Sequence, residues 1–331
     1  MKILFIGGTG IISSACSPQV LARGDQLFLL NRGQTRRPVP PEAHVLKADF
    51  HNSAEIDHAL DGQTFDVVVQ WIGFTPEAIE SDLARFRGRV GQYVFISSAS
   101  AYQTPPLSLP VTESTPLYNP YWEYSRRKIA CEQLLENAYR EEGFPITIVR
   151  PSHTYDQTLL PFHGGYTMVK RMRSGLPVIV HGDGTSLWVL THHEDFARGF
   201  VGLLGNPQAI GEAVQITSDE LLTWNQIYQQ VATAAGVEYP NLVHIPSDFI
   251  ARLDPEWGAS LLGDKTHSMI FDNQKIKRLV PGFTCTIPFW RGAREIIAWY
   301  DQDPARQVID TGFDQILTKI LDAYGQAGAA T

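Results

Sequence analysis

The sequence predicts an α/β fold, a doubly wound parallel sheet with a smaller, interleaved C-terminal lobe. Three observations carry this expectation. Short β-branched, apolar runs alternate with helix-like segments from Lys2 to about Gly184, a glycine-rich turn follows the first run directly, and the texture changes after Arg150-Pro151. A chain of 331 residues exceeds one typical core, which suits one large unit and one partial one.

The expected strands fall at 3–6, 26–30, 45–47, 67–69, 93–96, 146–149 and 178–181. They are near-continuously apolar rather than alternating, as strands of a parallel sheet are when helices cover both faces. Past Arg150-Pro151 come a Pro/Gly/His-rich loop at 161–165 and a helix at 166–174. A further strand at 213–217 is expected to return to the sheet, followed by a helix near 224–235 and others around 247–253, 273–279 and 288–300. The tail from 325 to 331 is expected to fray. One unit should therefore comprise 1–155 with roughly 190–235 returning to it, and the other roughly 156–189 with 236–331.

Composition narrows the class. With 44% hydrophobic and 19% charged residues the chain reads as an ordinary globular protein, and no apolar run approaches the roughly 20 residues that span a bilayer. Its first six residues read as a strand rather than as a signal peptide. Cys16, Cys131 and Cys285 are odd in number and far apart, so they suggest neither a disulfide framework nor a metal pair, and a reducing cytoplasm is expected. The net charge of -8 works against a nucleic-acid partner, whose phosphates are bound by lysine and arginine.

Gly7-Gly8-Thr9-Gly10-Ile11-Ile12-Ser13 lies between the first strand and a helix that Gly24 ends. This is the setting of a Rossmann-type dinucleotide-binding turn. Gly7 permits the tight turn, and Gly10 lets backbone N–H groups approach a pyrophosphate that the helix terminus attracts. Gly8, Thr9, Ile11 and Ile12 complete the expected cofactor loop. Ser13 stands where a third glycine often sits, and Pro18 is expected to kink the helix. The second strand ends in Asn31-Arg32, with Arg36 and Arg37 close behind, rather than in the acidic residue that takes the ribose of NAD. NADP is therefore expected in preference to NAD.

Tyr124 and Lys128 lie four apart in a segment with helical apolar spacing, so they share one face. A tyrosine is a poor base at neutral pH, and a neighbouring ammonium is expected to lower its pKa. Lysine also suits the ribose hydroxyls of a cofactor. Ser98 ends the strand at 93–96, in position to hydrogen-bond a substrate oxygen. Ser98, Tyr124 and Lys128 are thus the expected catalytic set.

Gly7-x2-Gly10, Ser98, Tyr124-x3-Lys128 and Arg150-Pro151 together resemble an extended short-chain dehydrogenase/reductase, of the NAD-dependent epimerase/dehydratase family, over most of the chain. The stretch His181-Gly182-Asp183-Gly184 and then His192-His193-Glu194-Asp195 is similar to that of nucleotide-sugar epimerases and dehydratases. The opening glycine turn and Asn31-Arg32-Gly33 also resemble the branch of chloroplast stem-loop-binding proteins and their bacterial relatives. The resemblance implies hydride transfer at a secondary alcohol or ketone of a small, sugar-like substrate. It places Asp49 and Phe50 against the adenine, and suggests a homodimer through the helices bearing Tyr124.

Several positions depart from the family pattern. Trp188 stands where such enzymes commonly carry the arginine that grips a substrate diphosphate, which points to a less charged ring. Ala99-Ser100 lacks the acidic residues of sugar dehydratases, so an epimerase or a carbonyl reductase is expected. The helix asparagine of many relatives has no clear counterpart. Pro151 and His153 are assigned to the cofactor set, and Ser100, Tyr155 and Trp188 to the substrate. No metal is expected, because the adjacent His192 and His193 project differently. The alternative from another class is an RNA-binding or endonuclease-like protein that retains the dinucleotide fold, for which Arg126, Arg127, Lys170 and Arg171 offer a local basic face.

Overall fold

Along the first strand Ile3 and Phe5 face one layer of helices, Leu4 and Ile6 the other, and all four are fully buried. Burial on both faces is why these runs read as continuously apolar. The computed structural model describes residues 1–35 and 37–329. In chain order the first half comprises β1 (Lys2–Ile6), α1 (Ile11–Ala22), β2 (Gln26–Asn31), β3 (His44–Lys47), α2 (Ser53–Ala59), β4 (Phe65–Gln70), α3 (Pro76–Phe86), β5 (Val90–Ile96), α4 (Glu123–Glu142), β6 (Ile146–Pro151) and β7 (His153–Tyr155). There follow α5 (Tyr166–Arg173), β8 (Val178–His181), β9 (Leu187–Trp188), β10 (Leu190–His192), α6 (His193–Leu203), β11 (Ala213–Ile216), β12 (Leu222–Thr223) and α7 (Trp224–Ala234). The last elements are β13 (Leu242–Ile245), α8 (Ser247–Leu253), α9 (Pro255–Ser260), α10 (Gln274–Leu279), α11 (Phe289–Asp301) and α12 (Thr311–Ala329).

Seven strands form one sheet in the order β11-β6-β5-β4-β1-β2-β3, and every pair in it is parallel. The chain fills one side of β1 first and then crosses to the other, so the order reverses between β1 and β4. A crevice opens beyond the carboxyl ends of the strands at such a reversal. Helices α1 and α6 cover one face through Cys16, Val20, Phe196 and Phe200, and α2, α3 and α4 cover the other through Ile56, Ile79, Leu83, Cys131 and Leu135. A third apolar cluster, with Trp188, Trp224, Trp257 and Phe289, fills the C-terminal half.

One local expectation is corrected. The strand at 178–181 lies outside the main sheet and pairs with β13 instead. Helix α1 runs on from Ile11 to Ala22 across Pro18. There the Ser17 hydroxyl donates to the Ser13 carbonyl at 3.1 Å, a side-chain bond in the turn that the proline cannot complete. Phe313, Leu317 and Ile320 anchor α12 in the third cluster, and the helix runs to Ala329; of the tail expected to fray, 330 and 331 lie outside the described residues.

Helix α4 buries an unusual face. At helical spacing it presents Ser125, Lys128, Cys131, Glu132, Leu135 and Ala138 inward. Glu132 is wholly buried and pairs with the equally buried Arg150 of β6, whose guanidinium also stacks 4.9 Å from the Tyr102 ring centroid. Removing one partner of such a pair leaves an uncompensated charge in the interior. Glu132→Ala should therefore lower the unfolding free energy by about 3–5 kcal/mol in a urea titration. A loss below about 1 kcal/mol, the worth of a solvent-exposed pair, would contradict this account.

Candidate active site

The turn between β1 and α1 needs glycine twice. Gly7 and Gly8 have φ of 98° and 82°, and a side chain on Gly8 would meet Leu29 at 2.8 Å, while one on Gly7 would meet Ile72 at 3.0 Å. Gly10 caps α1 in an extended conformation and its N–H donates to Ser13 Oγ at 2.8 Å, so Ser13 braces the turn where a third glycine was absent. The amides of Ile11 and Ile12 begin the helix without a carbonyl four residues back, and they face the crevice mouth as anion donors.

Three adjoining cavities follow this turn. The central one, of about 570 Å³, is lined by Gly7 through Ser13, Phe74, Ser98, Tyr124, Lys128 and Pro151. A second, of about 430 Å³, shares Gly7, Thr9 and Phe74 with it and extends to Asn31, Arg32, Asp49 and Phe50. The third, of about 240 Å³, shares Ser98, Tyr124 and Pro151 with the first and reaches Ser100, His153 and Trp188. Trp71 Nε1 and Ser97 Oγ, on residues of the first cavity, and Asn31 Nδ2, on a residue of the second, are buried polar atoms without hydrogen-bond partners. Together with the glycine turn these unsatisfied groups fit a dinucleotide laid from Asn31 to Tyr124.

Around Arg37 the expectation is corrected. Its guanidinium is committed to Asp156 and to Thr158 Oγ1, so it is not free to take a 2'-phosphate; Arg36 lies outside the described residues. Asn31 Oδ1 accepts from the Gly33 N–H at 2.7 Å, which leaves the amide NH₂ of Asn31 as the free, donating end. Asn31 and Arg32 both line the second cavity.

Tyr124 and Lys128 stand one turn apart near the start of α4. Lys128 is almost wholly buried, and its ammonium donates to the carbonyls of Ile96 at 2.7 Å and Gly73 at 2.8 Å. Burial pushes its pKa down to about 8. For Tyr124 the expected direction is reversed: burial holds the phenol above its ordinary value, Asp264 adds to this, and the Ser98 hydroxyl opposes it. The lysine sits 6.0 Å from the ring centroid, with its donors directed at backbone carbonyls, and desolvation outweighs it.

Ser98 Oγ lies 2.9 Å from Ser100 Oγ, which in turn accepts from Ser125 Oγ at 2.8 Å. Ser100 was expected to meet substrate, yet its hydroxyl is engaged by these neighbours and it supports Ser98 from behind. Asn119 also escaped the sequence reading. It lies before α4, donates to the carbonyls of Ser100 at 2.9 Å and Gly263 at 2.6 Å, and accepts from the Trp122 N–H at 3.0 Å. No local pattern marks a loop residue that joins two distant segments.

Tyr155 is the clearest miss among the substrate residues. It is fully buried in the C-terminal apolar cluster, edge-on to Phe289 and His192, with Gly292 against its hydroxyl. Parity along β7 does not separate Tyr155 from His153; the packing of Tyr155 on Phe289 and His192, both far away in the chain, takes it out of the cavity lining. His153, assigned above to the cofactor, lines the third cavity and not the central one, and burial pushes its pKa down to about 3, so the ring is neutral. Trp188 is buried beside it, with its indole Nε1 unpartnered. Asp264 and Lys265 line the same cavity, 3.0 Å apart, and were not foreseen.

The histidine pair has a structural use. His192 Nε2 lies 3.1 Å from Glu295 and His193 Nδ1 lies 3.3 Å from the Ile11 carbonyl, which ties α6 to the start of the cofactor-loop helix. Among the described residues no group of three or more His, Cys, Asp or Glu side chains is placed to hold a metal, and no helix is long and apolar enough to cross a membrane. The basic face considered above is not assembled as four free cations. Arg171 is buried against Asp314 and Arg127 pairs with Glu123.

Comparison with known proteins agrees with this architecture. The chain is 28% identical over 269 residues to the chloroplast stem-loop binding protein of 41 kDa b from Arabidopsis thaliana, covering 75% of this chain and 67% of that protein. It is 23% identical over 289 residues to a 2'-dehydrokanamycin reductase from Streptomyces kanamyceticus, covering 86% of this chain and 80% of that one. The solved structure of a UDP-glucuronic acid 4-epimerase from Bacillus cereus in complex with NAD superposes with a TM-score of 0.72 at 18% identity, over 91% of this chain and 99% of that chain, a likeness of fold. The model of the NAD dependent epimerase/dehydratase family matches residues 3–217, nearly the whole parallel sheet and every wall of the central cavity, and the chain belongs to that family.

Proposed function

We propose that the protein is a nicotinamide-dependent oxidoreductase acting at a secondary alcohol or ketone of a small, sugar-like molecule, as a reductase or an epimerase. The observation that carries this reading is that Ser98, Tyr124 and Lys128 line the same cavity as the glycine turn. A dinucleotide held by Gly7 to Ile12, Asn31, Asp49 and Phe50 supplies or accepts the hydride when bound. Tyr124 gives the proton to the substrate oxygen or takes it away, and Ser98 orients that oxygen. Lys128, with two of its three donors on carbonyls, keeps one for a ribose hydroxyl. The relative named as a reductase supports the reductase form, and the family description supports the epimerase form. A reducing cytoplasm suits the three free cysteines, and a homodimer through α4 belongs to the same reading.

Tyr124→Phe keeps the ring and removes the proton. Turnover should fall by about 10²–10⁴-fold, the usual worth of a positioned acid or base, while dinucleotide affinity measured by fluorescence titration stays nearly unchanged. Substantial residual turnover would contradict the assignment of Tyr124.

The ionisation state at rest sets a pH dependence. Tyr124 is held above its ordinary pKa and so is protonated at neutral pH, ready to act as the acid in ketone reduction. Lys128 is charged below about 8 and loses its proton above it. Reduction is therefore expected to be level around neutrality and to decline as the pH rises through about 8, with initial rates as the measurement. A rate that climbs through that range would count against it.

Cofactor preference rests on a donor. Asn31 offers N–H to the second cavity where NAD enzymes offer a carboxylate, and Arg32 stands beside it, so NADPH should bind more tightly than NADH. Asn31→Asp should reverse that order in paired titrations. Tighter NADH binding by the unaltered protein would overturn the preference.

A further inference from the structure

The cavity beyond Tyr124 holds groups that proton transfer does not use. Residues Leu261–Lys265 form a single π-helical turn, an uncommon arrangement that recurs at functional sites. It is clamped from two directions. Gly263 packs so closely on Trp122 that a side chain there would meet it at 2.7 Å, and its carbonyl accepts from Asn119. The Lys265 carbonyl accepts from Trp224 Nε1 at 3.2 Å and lies 3.1 Å from His181 Nε2. Held in this way, the turn sets the Asp264 carboxylate and the Lys265 ammonium on the cavity wall, 3.0 Å apart and each less than one fifth exposed.

Two further polar atoms belong to residues of the same cavity. Trp188 Nε1 can only donate, His153 Nε2 donates or accepts according to tautomer, and both are buried without a partner in the protein. Buried polar groups are almost always paired, so these two are left for a partner that the protein itself does not supply. The charge balance restricts what that ligand is. Lys265 is the one cation among the residues lining this cavity, and Asp264 already neutralises it, so nothing there matches the negative charge of a diphosphate. The space, about 240 Å³, falls below the roughly 300–1,000 Å³ of pockets for drug-sized ligands.

We propose that this cavity takes a single polyhydroxylated ring that carries no nucleoside diphosphate, recognised through its hydroxyls by Asp264, Lys265, Trp188 and His153. The Asp264–Lys265 pair supplies an acceptor and a donor side by side, matching two neighbouring ring hydroxyls. Trp188 donates to a third oxygen. Specificity is thus separated from chemistry: Ser98 and Tyr124 address the reacting carbon and its oxygen, and the π-turn addresses the rest of the ring. This inference rests on the oxidoreductase reading above and narrows it to a substrate class.

The test uses the full chain loaded with NADPH. Its probes are two unlinked ketones, 2-keto-myo-inositol and 3-keto-glucose, one linked ketone, UDP-4-keto-6-deoxyglucose, and UDP alone in a calorimetric titration. At least one unlinked ketone should be reduced, the linked one should not, and UDP should give no binding heat. Asp264→Ala and Lys265→Ala should each raise KM about ten-fold or more with a much smaller change in kcat. Asp264→Asn, which keeps an acceptor and disturbs the turn less, should recover part of the lost affinity and serves if the alanine variants do not fold. Reduction of the linked ketone, binding of UDP, reduction of neither unlinked probe, or an unchanged KM in both alanine variants overturns the substrate class. A chain that binds no dinucleotide fails instead at the oxidoreductase reading beneath it.

Discussion

Two ionised side chains on the buried face of α4 fix the geometry of everything around them. The Lys128 ammonium joins the carbonyls of Gly73, beyond the end of β4, and Ile96, at the end of β5, and the Glu132 carboxylate pairs with Arg150 on β6. One helix is thereby tied to three neighbouring strand ends. Burying these charges is costly unless every donor and acceptor is met, and a helix displaced by even an ångström would leave them unmet. The position of Tyr124 follows, because it lies on the same helix one turn before Lys128.

The same burial explains the electrostatic character of the pocket. Desolvation lowers the pKa of Lys128 and His153 and raises that of Tyr124, so two bases and an acid all move toward their neutral forms. A cavity poised in this way holds its phenol as an acid and its imidazole as a neutral hydrogen-bonding group. The Asp264–Lys265 pair adds polarity to the wall without adding net charge.

Within the family, the fold is retained at low sequence identity. The chain superposes on a UDP-glucuronic acid 4-epimerase at 18% identity, since the sheet asks only for apolar residues on both faces and the turn after β1 for two glycines. The third cavity depends on single side chains, and there Trp188, Asp264 and Lys265 form part of a wall whose one lining cation, Lys265, is paired. Such separation between a general scaffold and a particular site is how one fold serves many reactions.

By itself the sequence determined what local periodicity and spacing can determine. The apolar runs marked the strands, Gly7, Gly8 and Gly10 marked the turn before α1, and the four-residue interval marked Tyr124 and Lys128 as neighbours on one helix face. Even the arginines after β2 were visible, though their use was not: whether Arg37 meets a cofactor or Asp156, which is 119 residues away, is a matter of where β7 ends. The tertiary structure alone decided that Val178–His181 leaves the main sheet, that Tyr155 turns from the cavity, and that a π-turn at 261–265 brings Asp264 and Lys265 to Tyr124. Those outcomes depend on contacts between segments far apart in the chain and on desolvation at the place where they meet, neither of which leaves a periodic trace in the residues themselves.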